Sequence, residues 1–284
     1  CIGYRTQSSL TRLEFRNYRG EQKKGRQQMK LKIVTFNIRC DYGQDGPNQF
    51  CYRSSLVKRK IEAEQPDIIC FQEVLPHVVQ WLKENLTDYY VVGCGREKTL
   101  DGEQMTVAFR RERLNMISME TYWMSPEPNT PGSRYEEQSM CPRTCTELVL
   151  QDAESTKPFR LINTHLDHIG VGARKLGLEQ IVKKIKSETF LPELPVILAG
   201  DFNAEPDGEE IRVLDGEACV NLTEGIGITF HGFDGSEPEQ TIDYIYLFPQ
   251  QESYTLKKLE KWEDKEGEVW LSDHYPVCVV LEIG

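Results

Sequence analysis

From Leu31 to the C-terminus, short apolar runs bounded by polar and turn residues alternate with stretches whose apolar residues recur at intervals of three and four. The first pattern is that of buried strands, the second that of helices with one apolar face. Strands are expected at Ile33–Ile38, Asp67–Phe71, Tyr89–Gly93, Met105–Arg110, Thr146–Gln151 and Phe159–His165, then at Val196–Gly200, Thr241–Phe248, Tyr254–Trp262 and Tyr275–Ile283. One helix is expected around Val78, Val79, Leu82 and Leu86, and another around Leu178, Ile181, Val182 and Ile185. A third begins near Ser54 or Ser55, whose hydroxyl can cap it, and stops before Pro66. Strands outnumber helices, and both direct strand successions and helical crossovers occur. The class is therefore α/β, with two packed, mainly antiparallel sheets flanked by helices. No Gly/Ser-rich or Pro-rich linker interrupts the series, so residues 31–284 read as one domain. Residues 120–145 form the longest irregular stretch, of the kind that shapes a substrate site. Tyr122 and Trp123 precede its prolines and either stack on a base or sugar or pack inside.

Polar residues fall repeatedly at the ends of the apolar runs. Asn37 closes Ile33-Val-Thr-Phe-Asn and Glu73 follows Ile68-Ile-Cys-Phe-Gln. His165, Asp167 and His168 end Leu161-Ile-Asn-Thr-His-Leu-Asp-His, and Asp201 and Asn203 follow Pro195-Val-Ile-Leu-Ala-Gly. Asp243 lies in Thr241-Ile-Asp-Tyr-Ile-Tyr, and Asp273 and His274 precede Tyr275-Pro-Val-Cys-Val-Val. A carboxylate or imidazole beside a buried strand is costly unless partnered, so these groups are expected to converge on one cleft. Oxygen ligands such as Glu73, Asn37 and Asp273 suit a hard cation, Mg²⁺ or Mn²⁺, better than zinc. A hard cation beside His and Asp groups suits hydrolysis of a phosphate ester. Acyl transfer by a Gly-x-Ser-x-Gly nucleophile and phosphate binding by a Gly-rich cradle both lack their motifs.

Charge sharpens this picture. The chain carries 34 Lys and Arg against 45 Asp and Glu, a net charge of −11. Residues 1–30 hold eight Lys or Arg and two acids, a +6 leader that reads as a disordered extension or, in a sharper reading, as a basic arm, and the rest carries −17. So acidic a body does not suit non-specific wrapping of duplex DNA, which relies on Lys and Arg against phosphates. No apolar run reaches the roughly 18 residues of a membrane helix. Nine scattered cysteines complete no zinc or CxxC spacing and point to a reducing, cytoplasmic setting.

The ordered series TFNIR (35–39), FQEV (71–74), NTHLDH (163–168), GDFNAEP (200–206), TIDYIY (241–246) and LSDHYPV (271–277) resembles the endonuclease/exonuclease/phosphatase family. The resemblance spans about residues 31–283. It implies a four-layer α/β sandwich and an Mg²⁺-dependent phosphoesterase using metal-assisted attack of water. It places Asn37, Glu73 and Asp273 on the metal, with Glu73 the direct carboxylate ligand. It gives His274 the scissile phosphate, with Asp243 fixing its tautomer, Asp201 the attacking water, Asn203 a phosphoryl oxygen, and His165 the phosphate or leaving-group side. Glu103 matches the place where the pancreatic deoxyribonuclease branch keeps a carboxylate against that histidine, and reads equally as a solvated acid. Asp167, His168, Arg174, Arg39 and Arg96 are candidate contacts around the site or to substrate. His77 and His231 lie outside the motifs and are expected on the surface, His231 in a loop that could border the cleft.

GDFNAEP with TIDYIY looks closest to the carbon-catabolite-repressor and nocturnin-like deadenylase branch, which implies a 3′–5′ RNA exonuclease acting on single-stranded RNA or a nucleotide. LSDHYPV also suits the sphingomyelinase side, and a small-molecule phosphodiesterase or phosphatase is the neighbouring alternative. The inositol-phosphatase branch carries Cys-Asp-Arg where this chain has Thr241-Ile-Asp-Tyr, and is disfavoured. A rival of another class is a non-catalytic binding module on the same fold.

Overall fold

In a computed structural model, residues 27–187, 193–235 and 237–284 are described. The expected leader lies outside them as far as residue 26, and Met29 and Lys30 already belong to the first strand. The elements run β1 (Met29–Asn37), α1 (Phe50–Glu64), β2 (Ile68–Val74), α2 (Pro76–Asn85), β3 (Tyr89–Val92) and β4 (Gln104–Arg110). They continue through β5 (Leu114–Trp123), β6 (Thr144–Asp152), β7 (Pro158–His165), α3 (Val171–Ser187), β8 (Val196–Asp201), β9 (Val220–Asn221) and a helical turn, α4 (Gly232–Gly235). The last are β10 (Asp243–Phe248), β11 (Tyr254–Lys261), β12 (Lys265–Glu266), β13 (Val269–Trp270) and β14 (Val277–Ile283).

Two six-stranded sheets result, ordered β11-β14-β1-β2-β4-β3 and β5-β6-β7-β8-β10-β9. Pairing is antiparallel except between β1 and β2 and between β7 and β8, where α1 and α3 make the crossovers. Alternation along the strands builds the layers. In β1, Met29, Leu31 and Ile33 face the second sheet and join Phe159, Leu161, Ile197 and Ile245 in the inter-sheet core. Val34 and Phe36 point the other way, against Val57 and Ile61 of α1 and Val78 and Leu82 of α2. The outer face of the second sheet, with Ile162, Leu198 and Tyr246, is covered by Leu178, Ile181 and Ile185 of α3. Both faces of the central strands are thus buried, which is why they read as continuous apolar runs. The four layers are helix, sheet, sheet and helix, the α/β sandwich expected.

Three local expectations are corrected. α1 starts at Phe50, after Gln49, and Ser54 sits inside it with its hydroxyl turned back to the Cys51 carbonyl. β5 was not anticipated, because as an edge strand it leaves Met116, Ile117 and Met119 exposed. β10 opens at Asp243 and β14 at Val277, each two residues later than expected.

A buried amide pair crosses the sandwich just beneath the strand ends. Gln72 Nε2 donates to Asn163 Oδ1 at 2.8 Å, and Asn163 Nδ2 donates to the carbonyls of Phe71 (2.8 Å) and Thr106 (3.1 Å). Neither residue is exposed, so this pair fixes how the two sheets meet where the polar residues emerge.

Candidate active site

The ladders themselves assemble half of the site. Register sets His165, the last residue of β7, beside Asp201, the last of β8, and Asp201 beside Asp243, the first of β10. His165 Nε2 lies 3.4 Å and His274 Nε2 3.8 Å from Asp201 Oδ2. The other ring nitrogen of His274, Nδ1, is 2.8 Å from Asp243 Oδ2, so it carries the proton and donates. The first sheet supplies the facing half. Asn37 Nδ2 donates to Glu73 Oε1 and to Asp201 Oδ2, both at 3.0 Å, bridging the two sheets, and the Cys40 N–H donates to Glu73 Oε2 at 2.8 Å.

Backbone geometry aims these groups. The β2–β4 ladder shifts register between Phe71 and Val74, and Glu73 within that shift has φ 62°. Arg39 (φ 63°) and Asn203 (φ 48°) share the left-handed conformation, which costs a non-glycine residue about 1–2 kcal/mol. Such strain persists only where the surroundings over-determine it. Here the Arg39 N–H donates to Asn37 Oδ1 (2.9 Å) and the Asn203 N–H to Asp201 Oδ1 (2.9 Å), so each unusual turn is held by a site side chain.

Charges are strongly displaced from their ordinary behaviour. Burial and the neighbouring Asp243 push Asp201 up to about 7, against the pull of His274 and of the Asn203 and Asn37 donors. For His274 burial favours the neutral ring, but Asp243, Asp201 and Asp273 outweigh it and raise it to about 10. His165 goes the other way, held well below its usual value by burial and by the Arg143 guanidinium. Burial alone would raise the Glu73 carboxyl, yet the Asn37 and Cys40 donors and the His274 charge hold it below the carboxylate range. Two imidazoles whose proton affinities are shifted in opposite directions thus approach the same Asp201 oxygen, an arrangement able to move a proton.

Asp201, Asp243 and His274 bring ligand atoms within 4.8 Å of one another. The Asp243–His274 hydrogen bond already joins two of the three, so they form a proton-handling group. The oxygen donors on the other side, Glu73, Asn37 and Asp273, are the set that could hold a hard cation. Asp273 Oδ1 accepts from Ser272 Oγ at 3.0 Å, and its Oδ2 lies 3.2 Å from Arg39 Nη1. That guanidinium, also paired with Asp45 at 3.1 Å, places a positive charge beside the carboxylates. The oxygen donors fit a hard divalent cation, with which the Arg39 guanidinium on Asp273 Oδ2 would compete.

The remaining expected residues are placed differently. Glu103 does not meet His165: both its oxygens accept from Arg96, at 2.6 and 2.9 Å, and His165 Nδ1 has no hydrogen-bond partner among the described residues. Arg174 is tied down by Glu210 (2.6 Å) and the Asp167 carbonyl (3.1 Å). Asp167 is a clamp: its carboxylate accepts from the Ser139 N–H and hydroxyl and from the Ile169 and Gly170 N–H groups, pinning the 125–143 loop to the start of α3. His168, at the rim, takes a 2.7 Å contact from Arg143 Nη2 on its Nδ1. His77 is exposed as expected and reaches Asp41 at 3.0 Å. His231 is not a surface residue: it is 5% exposed and stacks on Tyr275 at 4.3 Å. Trp123 is buried and donates to the Arg96 carbonyl at 2.6 Å, and Tyr122 is buried with it, so the packing alternative holds for both.

Two arginines were missed. Arg143, almost fully buried, has no hydrogen-bond acceptor for Nε and Nη1 among the described residues and lies beside His165, and nothing local marked it because only the β6–β7 pairing brings it there. Arg53 did leave a signal: it occupies an apolar-face position of α1, between Phe50 and Val57.

Comparisons with known proteins agree with the fold. A family model described as endonuclease/exonuclease/phosphatase family matches residues 34–274. The solved endonuclease/exonuclease/phosphatase of Bacteroides vulgatus is 29% identical, with 90% of this chain and 100% of that chain covered and a TM-score of 0.83. A mannosyl-6-phosphatase of Bacteroides thetaiotaomicron is 26% identical over 88% of this chain and 99% of its own, with a TM-score of 0.81. The human nocturnin catalytic domain (18% identity, 91% and 97% covered, TM-score 0.68) shares the fold. A curated relative, an uncharacterized protein of Acanthamoeba polyphaga mimivirus, is 29% identical over 162 residues, and this chain spans only 59% of its length.

Proposed function

The chain belongs to the endonuclease/exonuclease/phosphatase family, and from that membership we propose that it is an Mg²⁺-dependent phosphoesterase that hydrolyses a small phosphorylated substrate. The observation that carries this reading is Asp201, fully buried, with its Oδ2 3.4 Å from His165 Nε2 and 3.8 Å from His274 Nε2. A bound Mg²⁺ or Mn²⁺ would supply charge neutralisation at the phosphoryl oxygens. Glu73, Asn37 and Asp273 would hold it. Asp201 takes the proton of the attacking water, and Asn37 keeps that carboxylate aligned through its 3.0 Å bond. His274, charged and fixed by Asp243, donates from Nε2 to a phosphoryl oxygen, and the Asn203 amide, which donates to the Leu166 carbonyl at 3.1 Å, would turn to another. His165, kept neutral, faces the leaving-group side.

A small substrate is supported by the clamp of Asp167 on the 125–143 loop, by pairing of Arg39, Arg96 and Arg174 with carboxylates, and by the 26% identity to a mannosyl-6-phosphatase. A deadenylase-like 3′–5′ exonuclease is the second reading, favoured by GDFNAEP and TIDYIY. No helix among the described residues is long and apolar enough to cross a membrane.

The test is a panel of sugar phosphates, nucleoside phosphates, oligo(A), sphingomyelin and abasic duplex, assayed with Mg²⁺, Mn²⁺ and EDTA. Turnover should vanish with EDTA and in Glu73→Gln and His274→Ala. Turnover surviving all three, or none on any substrate, overturns the reading; faster release of nucleotides from oligo(A) than of phosphate from sugar phosphates selects the second one.

A further inference from the structure

Arg53 is completely buried on α1, a helix that contributes no residue to the proposed chemistry. Its guanidinium points at backbone oxygens of three separate segments. Nη1 donates to the Ile38 carbonyl at 2.9 Å and to the Leu271 carbonyl at 2.7 Å, and Nε donates to the Asn48 carbonyl at 2.5 Å. Phe50 and Phe233 rings lie 5.6 and 5.9 Å from its Cζ.

The two outer segments carry the oxygen donors. Ile38 follows Asn37, and two residues later the Cys40 N–H supports the Glu73 carboxylate. Leu271 precedes Ser272, whose hydroxyl donates to Asp273. These segments leave neighbouring strands, β1 and β14, but that ladder ends at Thr35 opposite Val277. Asn37, Asp273 and His274 all lie past its last rung. Beyond it, the segments are joined by the Arg53 fork and by the contact of Arg39 with Asp273. Asn48 adds a second hold, its side-chain oxygen accepting from the Trp270 N–H at 2.9 Å.

We propose that Arg53 is a positioning residue for the cation site: by gripping the Ile38 and Leu271 carbonyls together it sets the spacing between Asn37 with Glu73 and Asp273. Because a planar guanidinium donates in fixed directions, it holds both carbonyls at one separation, whereas a lysine ammonium offers no such fork. Hard cations of this size tolerate little change in ligand spacing. The proposal rests on the cation site of the reading above.

The test is a titration of purified protein with Mn²⁺, following free ion by electron paramagnetic resonance, on wild type, Arg53→Met, Arg53→Lys and Leu82→Ala. Leu82 is fully buried in α2, in the same apolar cluster as Ile38 and Leu271 but with no hydrogen bond to their carbonyls, and so controls for lost stability. Arg53→Met is expected to weaken Mn²⁺ binding roughly 10–100-fold, the range seen when support behind metal ligands is removed. Arg53→Lys should fall between, and Leu82→Ala should bind as wild type. Wild-type affinity in Arg53→Met overturns the proposal, and so does equal weakening in Leu82→Ala. If Arg53→Met does not fold, Arg53→Lys decides; if neither folds, Arg53 is a folding residue and the proposal falls. Absence of Mn²⁺ binding in wild type refutes the cation site itself. Binding without turnover of any panel substrate refutes the phosphoesterase reading and leaves the Arg53 comparison readable.

Discussion

Gly200 stands one residue before Asp201, with φ +154° and its α-carbon opposite Thr164 in the β7–β8 ladder. A Cβ built there would lie 2.0 Å from the Thr164 carbonyl oxygen and 2.9 Å from its carbon, backbone atoms that cannot swing aside. Gly200→Ala must therefore open the central parallel pair at the rung next to His165 and Asp201. Forcing alanine into so sparsely populated a region costs about 1–3 kcal/mol. Losing or stretching one buried ladder hydrogen bond costs about 1–3 kcal/mol more. The expected destabilisation is roughly 2–6 kcal/mol in all, large beside a typical domain stability of about 5–15 kcal/mol. Displacing Asp201 by an ångström should also lower kcat about 100-fold. Urea unfolding followed by tryptophan fluorescence measures the first effect, and turnover of the best panel substrate the second. Gly216→Ala is the control: nothing lies within 4 Å of its Cβ position, and its stability should change by no more than about 0.5 kcal/mol. Unfolding of Gly200→Ala within about 1 kcal/mol of wild type would refute the steric argument.

Three further outcomes follow from the same contacts. Asn163→Leu removes one of the three acceptors of the buried Gln72 amide and the side-chain donor to the Phe71 and Thr106 carbonyls, and should cost about 1–3 kcal/mol, while Gln72→Leu with Asn163→Leu should recover part of it, as a double-mutant cycle in urea would read. Asp243→Asn leaves His274 without its carboxylate and should lower kcat about 10²–10⁴-fold with little change in KM, measured by steady-state kinetics at saturating Mg²⁺. Glu64 accepts from Lys32 and Lys60, which lower its carboxyl from 4.5 to about 2. A carboxyl lower in the folded than in the unfolded chain stabilises above pH 4.5 and loses that contribution as pH falls towards 2. Glu64→Gln should accordingly be less stable at neutral pH and flatter in its acid limb, seen in urea midpoints across that range; an unchanged limb would refute the coupling.

One half of the candidate site was legible because its parts are local. Asp201, Asp243 and His165 end apolar strands, and a polar group at such a position advertises itself in one stretch of residues. Glu103 misled for the complementary reason: its charged neighbourhood says nothing of the Arg96 guanidinium, which satisfies both its oxygens. His231 looked like a surface histidine because the rings that bury it, Trp270 and Tyr275, come from a segment some forty residues on. β5 escaped notice because an exposed edge strand carries no apolar alternation.

What the amino-acid sequence determined by itself was the class of fold, the order of its buried strands and main helices, and the polar positions at the strand ends. Each follows from periodicity, and periodicity is a property of neighbours in the chain. What only the tertiary structure decided was which charges meet. Arg143 reaches His165 through the pairing of β6 with β7, and Arg53 joins Ile38 to Leu271 across 233 residues of chain. Those contacts depend on strand order and helix placement, which are settled by burial of the whole core and are written in no single segment.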